Sequence, residues 1–302
     1  MTAPVVSGAQ EAGARPLWRD LVMLTKPRII SLLLVTTAAP MYVAGSPDWT
    51  LVAIVMLGGY LMAGGANAVN MYMDRDIDGV MGRTKLRPIP SGRMTPHAVL
   101  AFGAMLAMTA TWLLALYVNV LTAALALGGF YFYVFVYTRF LKRTTPQNIV
   151  IGGAAGAFPP LVGWAAVTGR LDLAAWYLFL IVFYWTPPHF WALALNKQKD
   201  YGRAGVPMAP LVWGERETMW QMFWYTIVLL ALTILPCTFG AFGWIYAASA
   251  VGLGALLLWG TVQVMRAPEG QWSAPAWWVY KYSLLYLALL FVAMVVDRRL
   301  LA

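Results

Sequence analysis

Nine apolar stretches, each near the length that crosses about 30 Å of hydrocarbon, leave this chain few folds to choose from. They run at approximately 28–45, 51–72, 97–117, 119–138, 147–168, 173–195, 220–239, 242–264 and 279–296. Backbone in hydrocarbon must satisfy its own N–H and C=O groups, so each stretch reads as a helix. Only 11% of the 302 residues are charged, against roughly 25% in soluble domains. The expectation is an all-α, polytopic membrane protein. The single cysteine, Cys237, allows no internal disulfide, and no zinc-type Cys/His cluster is present.

Charge gives the chain a direction. With the N-terminus inside, eighteen of the 21 Lys and Arg fall on the inner side, and only Arg170, Arg298 and Arg299 fall outside. This is a strong positive-inside bias. It places the N-terminus in the cytoplasm and the C-terminus, after nine spans, across the membrane. Arg298 and Arg299 sit awkwardly in that scheme. Residues 1–25 contain Glu11 and Asp20 and no apolar core, unlike a signal peptide. They read as a tail ending in a short interfacial helix near 16–24, ahead of a membrane domain at 26–302. No basic domain or stacking platform suggests a nucleic-acid partner.

Both long polar loops, 73–95 and 196–219, lie on the inner side, while the outer loops are short. The chemistry is therefore expected at the cytoplasmic face. A cation or lipid transporter is the reading from another class, but it would show polar groups at mid-span in two related halves.

Asn70, Asp74 and Asp78 end the second span. Residues four apart lie one above another on a helix, so they share a face. An acid at the centre of a membrane helix costs roughly 3 kcal/mol, and less near its end. Asn196 and Asp200 repeat the spacing at the end of the sixth span, which has the same orientation. Two such oxygen-bearing walls at one face suit a hard divalent cation, and Mg²⁺ in particular, with Asp74, Asp78 and Asp200 as the central acids. Basic residues follow each wall: Lys85 and Arg87 after the first, Arg139, Lys142 and Arg143 after the fourth span, Lys197, Lys199 and Arg203 after the sixth. Carboxylates flanked by Arg and Lys read as a cation bridged to a diphosphate. Because the site opens into a bilayer, the natural ligand is a lipid diphosphate. Its departure leaves a carbocation that needs a dry, aromatic pocket, for which Tyr72, Tyr131, Phe132 and Tyr133 are candidates.

His97 follows Thr95 and Pro96 and reads as a first-turn surface residue. His189 follows Pro187 and Pro188 inside the sixth span. Two prolines remove donors and are expected to kink the helix there, and broken helices at depth tend to line cavities.

The stretch NMYMDRDID at 70–78, followed by RTKLRP at 83–88, resembles the first acidic motif of the UbiA-type intramembrane prenyltransferases. TPPHFWALA at 186–194, YGRAGVPMAP at 201–210, LKRTTPQN at 141–148 and GGAAGAFPP at 152–160 are similar to the haem O synthase (protohaem IX farnesyltransferase) branch. The resemblance covers about residues 20–295. It implies nine transmembrane helices around a central cavity open to the cytoplasmic face of a bacterial inner membrane. It implies a Mg²⁺-dependent transfer of farnesyl from farnesyl diphosphate to a vinyl group of haem b, with water addition, giving haem O. A haem A synthase would then be a downstream partner. On this chain the resemblance makes Asn70, Asp74, Asp78, Asn196 and Asp200 metal ligands. Lys85, Arg87, Arg139, Lys142 and Arg143 become diphosphate contacts, and His189 the haem-facing residue. Asn196 departs from the superfamily's more usual Asp, which removes one charge from the second wall. A relative of the same fold acting on a quinone or aromatic-acid precursor is the alternative; it would have no need of His189.

Overall fold

Every apolar stretch winds into a helix, and the helices run past the apolar residues into charged ones. The structure, a computed structural model, describes residues 16–238 and 240–301. The expected tail at 1–15 lies outside the described residues. In chain order the helices are α1 (Leu17–Thr25), α2 (Pro27–Ala44), α3 (Trp49–Met73), α4 (Arg75–Val80), α5 (Pro96–Tyr117), α6 (Val120–Thr144), α7 (Asn148–Thr168), α8 (Leu173–Asn196), α9 (Gln198–Arg203), α10 (Glu215–Thr238), α11 (Trp244–Arg266) and α12 (Ser273–Leu301). Within α6, Phe132–Leu141 takes π-helical form. Among the described residues no strand occurs. Nine helices, α2, α3, α5, α6, α7, α8, α10, α11 and α12, are long and apolar enough to cross a membrane. This is a multi-pass membrane protein.

The sequence places the ends of several spans too early or too late. α6 continues to Thr144 and α12 starts at Ser273. Hydropathy marks the edge of hydrocarbon, whereas backbone hydrogen bonding continues into the headgroup layer. The extension matters because it carries Lys142 and Arg143 on a helix. The prolines Pro187 and Pro188 do not interrupt the helix: α8 runs unbroken through both, and neighbouring helices hold the turn that lacks two donors.

Helix contacts rest on small residues, as lipid gives no hydrophobic drive for helices to associate. α3 and α5 meet at Gly65 and Gly103. A Cβ on Gly65 would lie 2.7 Å from the Gly103 carbonyl oxygen, and one on Gly103 would lie 2.9 Å from that of Gly65. Thus α3, which carries the first acidic motif, is held close to its neighbour by bare backbone.

The helix ends define two faces. One gathers residues near 26, 73–96, 144–148, 196–215 and 266–273, and so all the candidate site residues except His189. At the other, Asp297 of α12 is buried and accepts from the N–H groups of Gly243 (2.6 Å) and Tyr246 (3.0 Å). It caps α11 from a neighbouring helix, which satisfies both the acid and the free helix start. Arg299 donates to the Gly45 carbonyl and to Ser46 Oγ, both at 3.1 Å.

Gly65→Ala should destabilise the protein by about 1–3 kcal/mol, the usual cost of overpacking, because the new methyl meets the backbone of Gly103 and Ala107 at 2.7 and 3.0 Å. Gly156→Ala, with nothing within 4 Å of the added atom, is the control. Thermal unfolding in detergent compares them; equal midpoints would contradict the close approach.

Candidate functional site

The first acidic motif stays stacked although the helix is interrupted at Asp74, whose backbone sits at φ −90, ψ 7. α3 ends at Met73 and α4 begins at Arg75, yet Asp74 N–H bonds to the Asn70 carbonyl (2.9 Å) and Asp78 N–H to that of Asp74 (2.8 Å). The α-type register thus continues across the joint. All three side chains are buried, Asp74 at 1% exposure and Asp78 at 2%. They do not form a solvated rim at the mouth of the span, as their position at its end suggests. Loop 81–94 folds over them, held where Thr84 Oγ1 donates to the Asp78 carbonyl (2.8 Å).

The two buried carboxylates of this motif are each paired with a cation. Lys142 Nζ bonds Asp74 Oδ2. Arg87 Nη1 bonds both oxygens of Asp78, at 2.8 and 2.6 Å. Arg143 holds Asp76 at 2.6 and 2.8 Å and lies 3.6 Å from Asp74 Oδ1. The Arg143 hydrogen bonds hold the Asp76 carboxyl down to about 2. Asp74 Oδ1 itself is buried with no hydrogen-bond partner. An acceptor oxygen left in that state at the centre of an acidic motif suits a hard cation.

The π-helical turn of α6 brings Lys142 there. A π-helix bonds i to i+5, and Thr138 Oγ1 donates to the Tyr133 carbonyl five residues back (2.9 Å). The same oxygen accepts from Asn70 Nδ2 (3.0 Å), which also donates to Asp74 Oδ2 (2.8 Å). Tyr133 stacks on Tyr137 at 5.7 Å, and both sit within electrostatic reach of Asp74. Of the four aromatic candidates, Tyr133 is the one with electrostatic coupling to Asp74 and Asp78. Tyr72 covers Arg75, Tyr131 is exposed and packs on Phe135, and Phe132 packs on Phe158.

The second motif meets the loop that follows the first. A Cβ on Gly82 would lie 3.6 Å from Asp200 Oδ1. Arg83 donates to Tyr201 Oη (3.3 Å) and its guanidinium sits 5.4 Å from that ring. Burial pushes the Tyr201 phenol up, while Arg83 and Arg87 pull it down. Asn196 is engaged elsewhere: its Oδ1 accepts from Ser273 Oγ (2.6 Å) and its Nδ2 donates to the Ala192 carbonyl. Among the described residues no three His, Cys, Asp or Glu side chains converge as a ready metal cage. Any cation here would draw on ligands outside that set, as Mg²⁺ does with phosphate and water.

Lys85 and Arg139 are exposed, and neither pairs with a described carboxylate. Three residues appear that the sequence did not single out for this site. Lys26, in left-handed conformation at φ 56 between α1 and α2, donates to Asn70 Oδ1 (3.1 Å). Burial, then Arg87 and Lys142, bring its ammonium down to about 7. Asn67 ties α3 to the Thr25 carbonyl (3.0 Å). Arg93 is bonded through Nε to both oxygens of buried Asp20, at 3.0 Å each, so it fastens the loop to α1. Only the Lys-Pro step at 26–27, a lone cation entering a span, hints at the first of these.

His189 lies within α8, apart from the carboxylates. Its ring is stacked between Trp185 (4.4 Å) and Tyr280 (4.7 Å), and Nδ1 is 2.7 Å from Ser283 Oγ. Ser283 Oγ also lies 2.9 Å from the Tyr280 carbonyl oxygen, and which atom donates in the Nδ1–Oγ bond follows the imidazole tautomer.

Residues 32–290 match the UbiA prenyltransferase family. The chain is 57% identical, over 96% of its length, to the protoheme IX farnesyltransferase of Roseiflexus castenholzii, and covers 54% of that protein. It is 53% identical over 92% of its length to that of Symbiobacterium thermophilum, covering 94% of it. The chain thus spans about half the length of some curated relatives and nearly all of others. Its fold is similar to that of a UbiA homolog from Archaeoglobus fulgidus bound to DMAPP and Mg²⁺, with TM-score 0.73 and 13% identity over 93% of this chain and 100% of that one. The same homolog bound to GPP and Mg²⁺ gives 0.70 and 14% over 91% and 99%.

Asp20→Asn should lower stability by about 1–3 kcal/mol, the worth of charge-assisted bonds, while leaving affinity for a prenyl diphosphate unchanged. Unfolding midpoint and ligand titration together check this. A loss of affinity would move Arg93 from fastening into the site.

Proposed function

The chain belongs to the UbiA prenyltransferase family, and on that premise we propose that it transfers farnesyl from farnesyl diphosphate to a vinyl group of haem b. Water then adds to give haem O and diphosphate. The observation that carries the reading is the 53% identity across nearly the whole of a relative named protoheme IX farnesyltransferase. The site's charge agrees with it. Lys26, Arg83, Arg87, Lys142 and Arg143 outnumber Asp74, Asp76, Asp78 and Asp200 around one loop, which favours a polyanion together with a cation.

Asp74, Asp78 and Asp200, with the amides of Asn70 and Asn196, are the groups that would hold Mg²⁺. The buried, unpartnered Asp74 Oδ1 is the best fitted of them. Bound there with the substrate, the ion would offset diphosphate charge and make it a better leaving group. Arg87 and Lys142 already sit on the carboxylates, within reach of phosphate oxygens beside them. Lys26 adds a third cation, whose burial among like charges an anion would relieve. Lys85, Arg139 and Arg143 complete the basic surround.

The allylic C–O bond breaks with its electron pair going to diphosphate. The vinyl π electrons form the new C–C bond, and the cation left beside the porphyrin takes water and sheds a proton. Tyr133 and Tyr137 cover the approach to Asp74 and exclude water from the first cation. His189 presents Nε2 to the haem iron, with Nδ1 held by Ser283 as ligating histidines require. The positive-inside charge puts this face in the cytoplasm of a bacterial inner membrane, and a haem A synthase is a natural consumer of the product.

Membranes containing the protein, given haem b and farnesyl diphosphate, should yield farnesylated hydroxyhaem by mass and equimolar diphosphate. Prenylation of 4-hydroxybenzoate in place of haem would overturn the assignment. Asp74→Asn keeps the shape beside Lys142 and should cut turnover on the order of 100-fold or more, a loss of several kcal/mol, with normal folding. Wild-type rates would exclude Asp74 from metal binding. His189→Ala should weaken haem binding and leave farnesyl diphosphate binding intact; equal losses would assign the ring to packing.

A further inference from the structure

Three basic residues lie at the face opposite the carboxylates, and two are accounted for. Arg170 pairs with Asp172 at 2.9 Å. Arg299 bonds Gly45 and Ser46 and lies over the Tyr42 ring. Arg298 has no ion pair, hydrogen bond or ring contact among the described residues. It is exposed, and it lines the mouth of an open-sided cavity of about 250 Å³ between α2, α7, α8, α10 and the turn before α11. The remaining wall is apolar or aromatic, with Trp164, Tyr177, Leu178, Ile181 and Phe242 as its larger members.

A guanidinium left without a partner on the face that topology keeps poor in cations calls for an explanation. Arg binds phosphate through two parallel N–H donors. An apolar hollow beside it, at the depth where the spans end, matches an acyl chain. We propose that this cavity holds one anionic phospholipid of the leaflet opposite the active site, its phosphate on Arg298 and one acyl chain along Trp164, Leu178 and Phe242. The lipid would fill the gap between the α7–α8 and α10–α11 helices and so tie the two parts of the bundle together. The site is separate from the prenyl diphosphate reading, which concerns the other face.

The protein in nanodiscs of phosphatidylglycerol should unfold at a higher temperature than in phosphatidylcholine. Arg298→Gln should abolish that difference, and Arg298→Lys should retain most of it. Arg170→Gln, which removes a different cation at this face, one paired with Asp172, should leave it unchanged. The same lipid preference in R298Q, or its loss in R170Q as well, would reduce the effect to bulk surface charge and overturn the proposal. A phosphatidylglycerol analogue with a photoreactive acyl chain tests it in the wild-type chain, independently of how any variant folds. Crosslinks should fall within 173–181 or 236–242, and crosslinks spread evenly over the lipid-facing helices would overturn the site.

Discussion

A carboxylate taken out of water at a membrane face must be neutralised, and the arrangement around Asp74 follows from that requirement. An unpaired buried charge costs several kcal/mol. Asp74 is therefore stable only because Lys142 reaches one oxygen, Arg143 stands near the other, and Asn70 donates an amide N–H. Two of these partners are consecutive residues at the end of α6, and the third lies one turn back on α3. The π-winding of α6 aligns Thr138 and Lys142 with α3. The close approach of α3 and α5 through Gly65 and Gly103 holds the acidic helix in place.

The pairing is strong on one oxygen and incomplete on the other. Lys142 and Arg87 stabilise the acids while belonging to the type of residue that binds phosphate. On the proposed reading, the counter-charges of the site are in place before substrate arrives, and preorganised charge of that kind would need little reorganisation during reaction. The second motif contributes less directly. Asp200 comes near the loop at Gly82, whereas Asn196 joins α8 to the start of α12 through Ser273. His189 and Trp185 make two more links from α8 to α12 through Ser283. These bonds stitch the helix of the second motif to the last span.

Much of the fold and part of the site could be read directly. Nine spans, their common polar face and the stacking of Asn70, Asp74 and Asp78 all follow from local periodicity, which is preserved even where α3 gives way to α4. At Pro187 and Pro188 local reasoning weighs two missing hydrogen bonds without the neighbouring helices that keep α8 continuous. Nor does it tell which basic residues pair with the acids. Lys85 and Arg87 look equivalent in one loop, yet only Arg87 turns onto Asp78. Arg139 and Lys142 sit three apart on one helix, and only Lys142 reaches an acid.

The amino-acid order alone determined how many times the chain crosses the bilayer, which side carries its charge and where acids stack, because insertion energy and helix periodicity act on neighbours in sequence. Tertiary packing decided which cation meets which carboxylate, that Lys26 enters the cluster from the other end of the domain, and that Asp297 caps a helix it does not belong to. Those outcomes depend on distances between helices, and such distances are set by side-chain volume at contacts far apart in the chain.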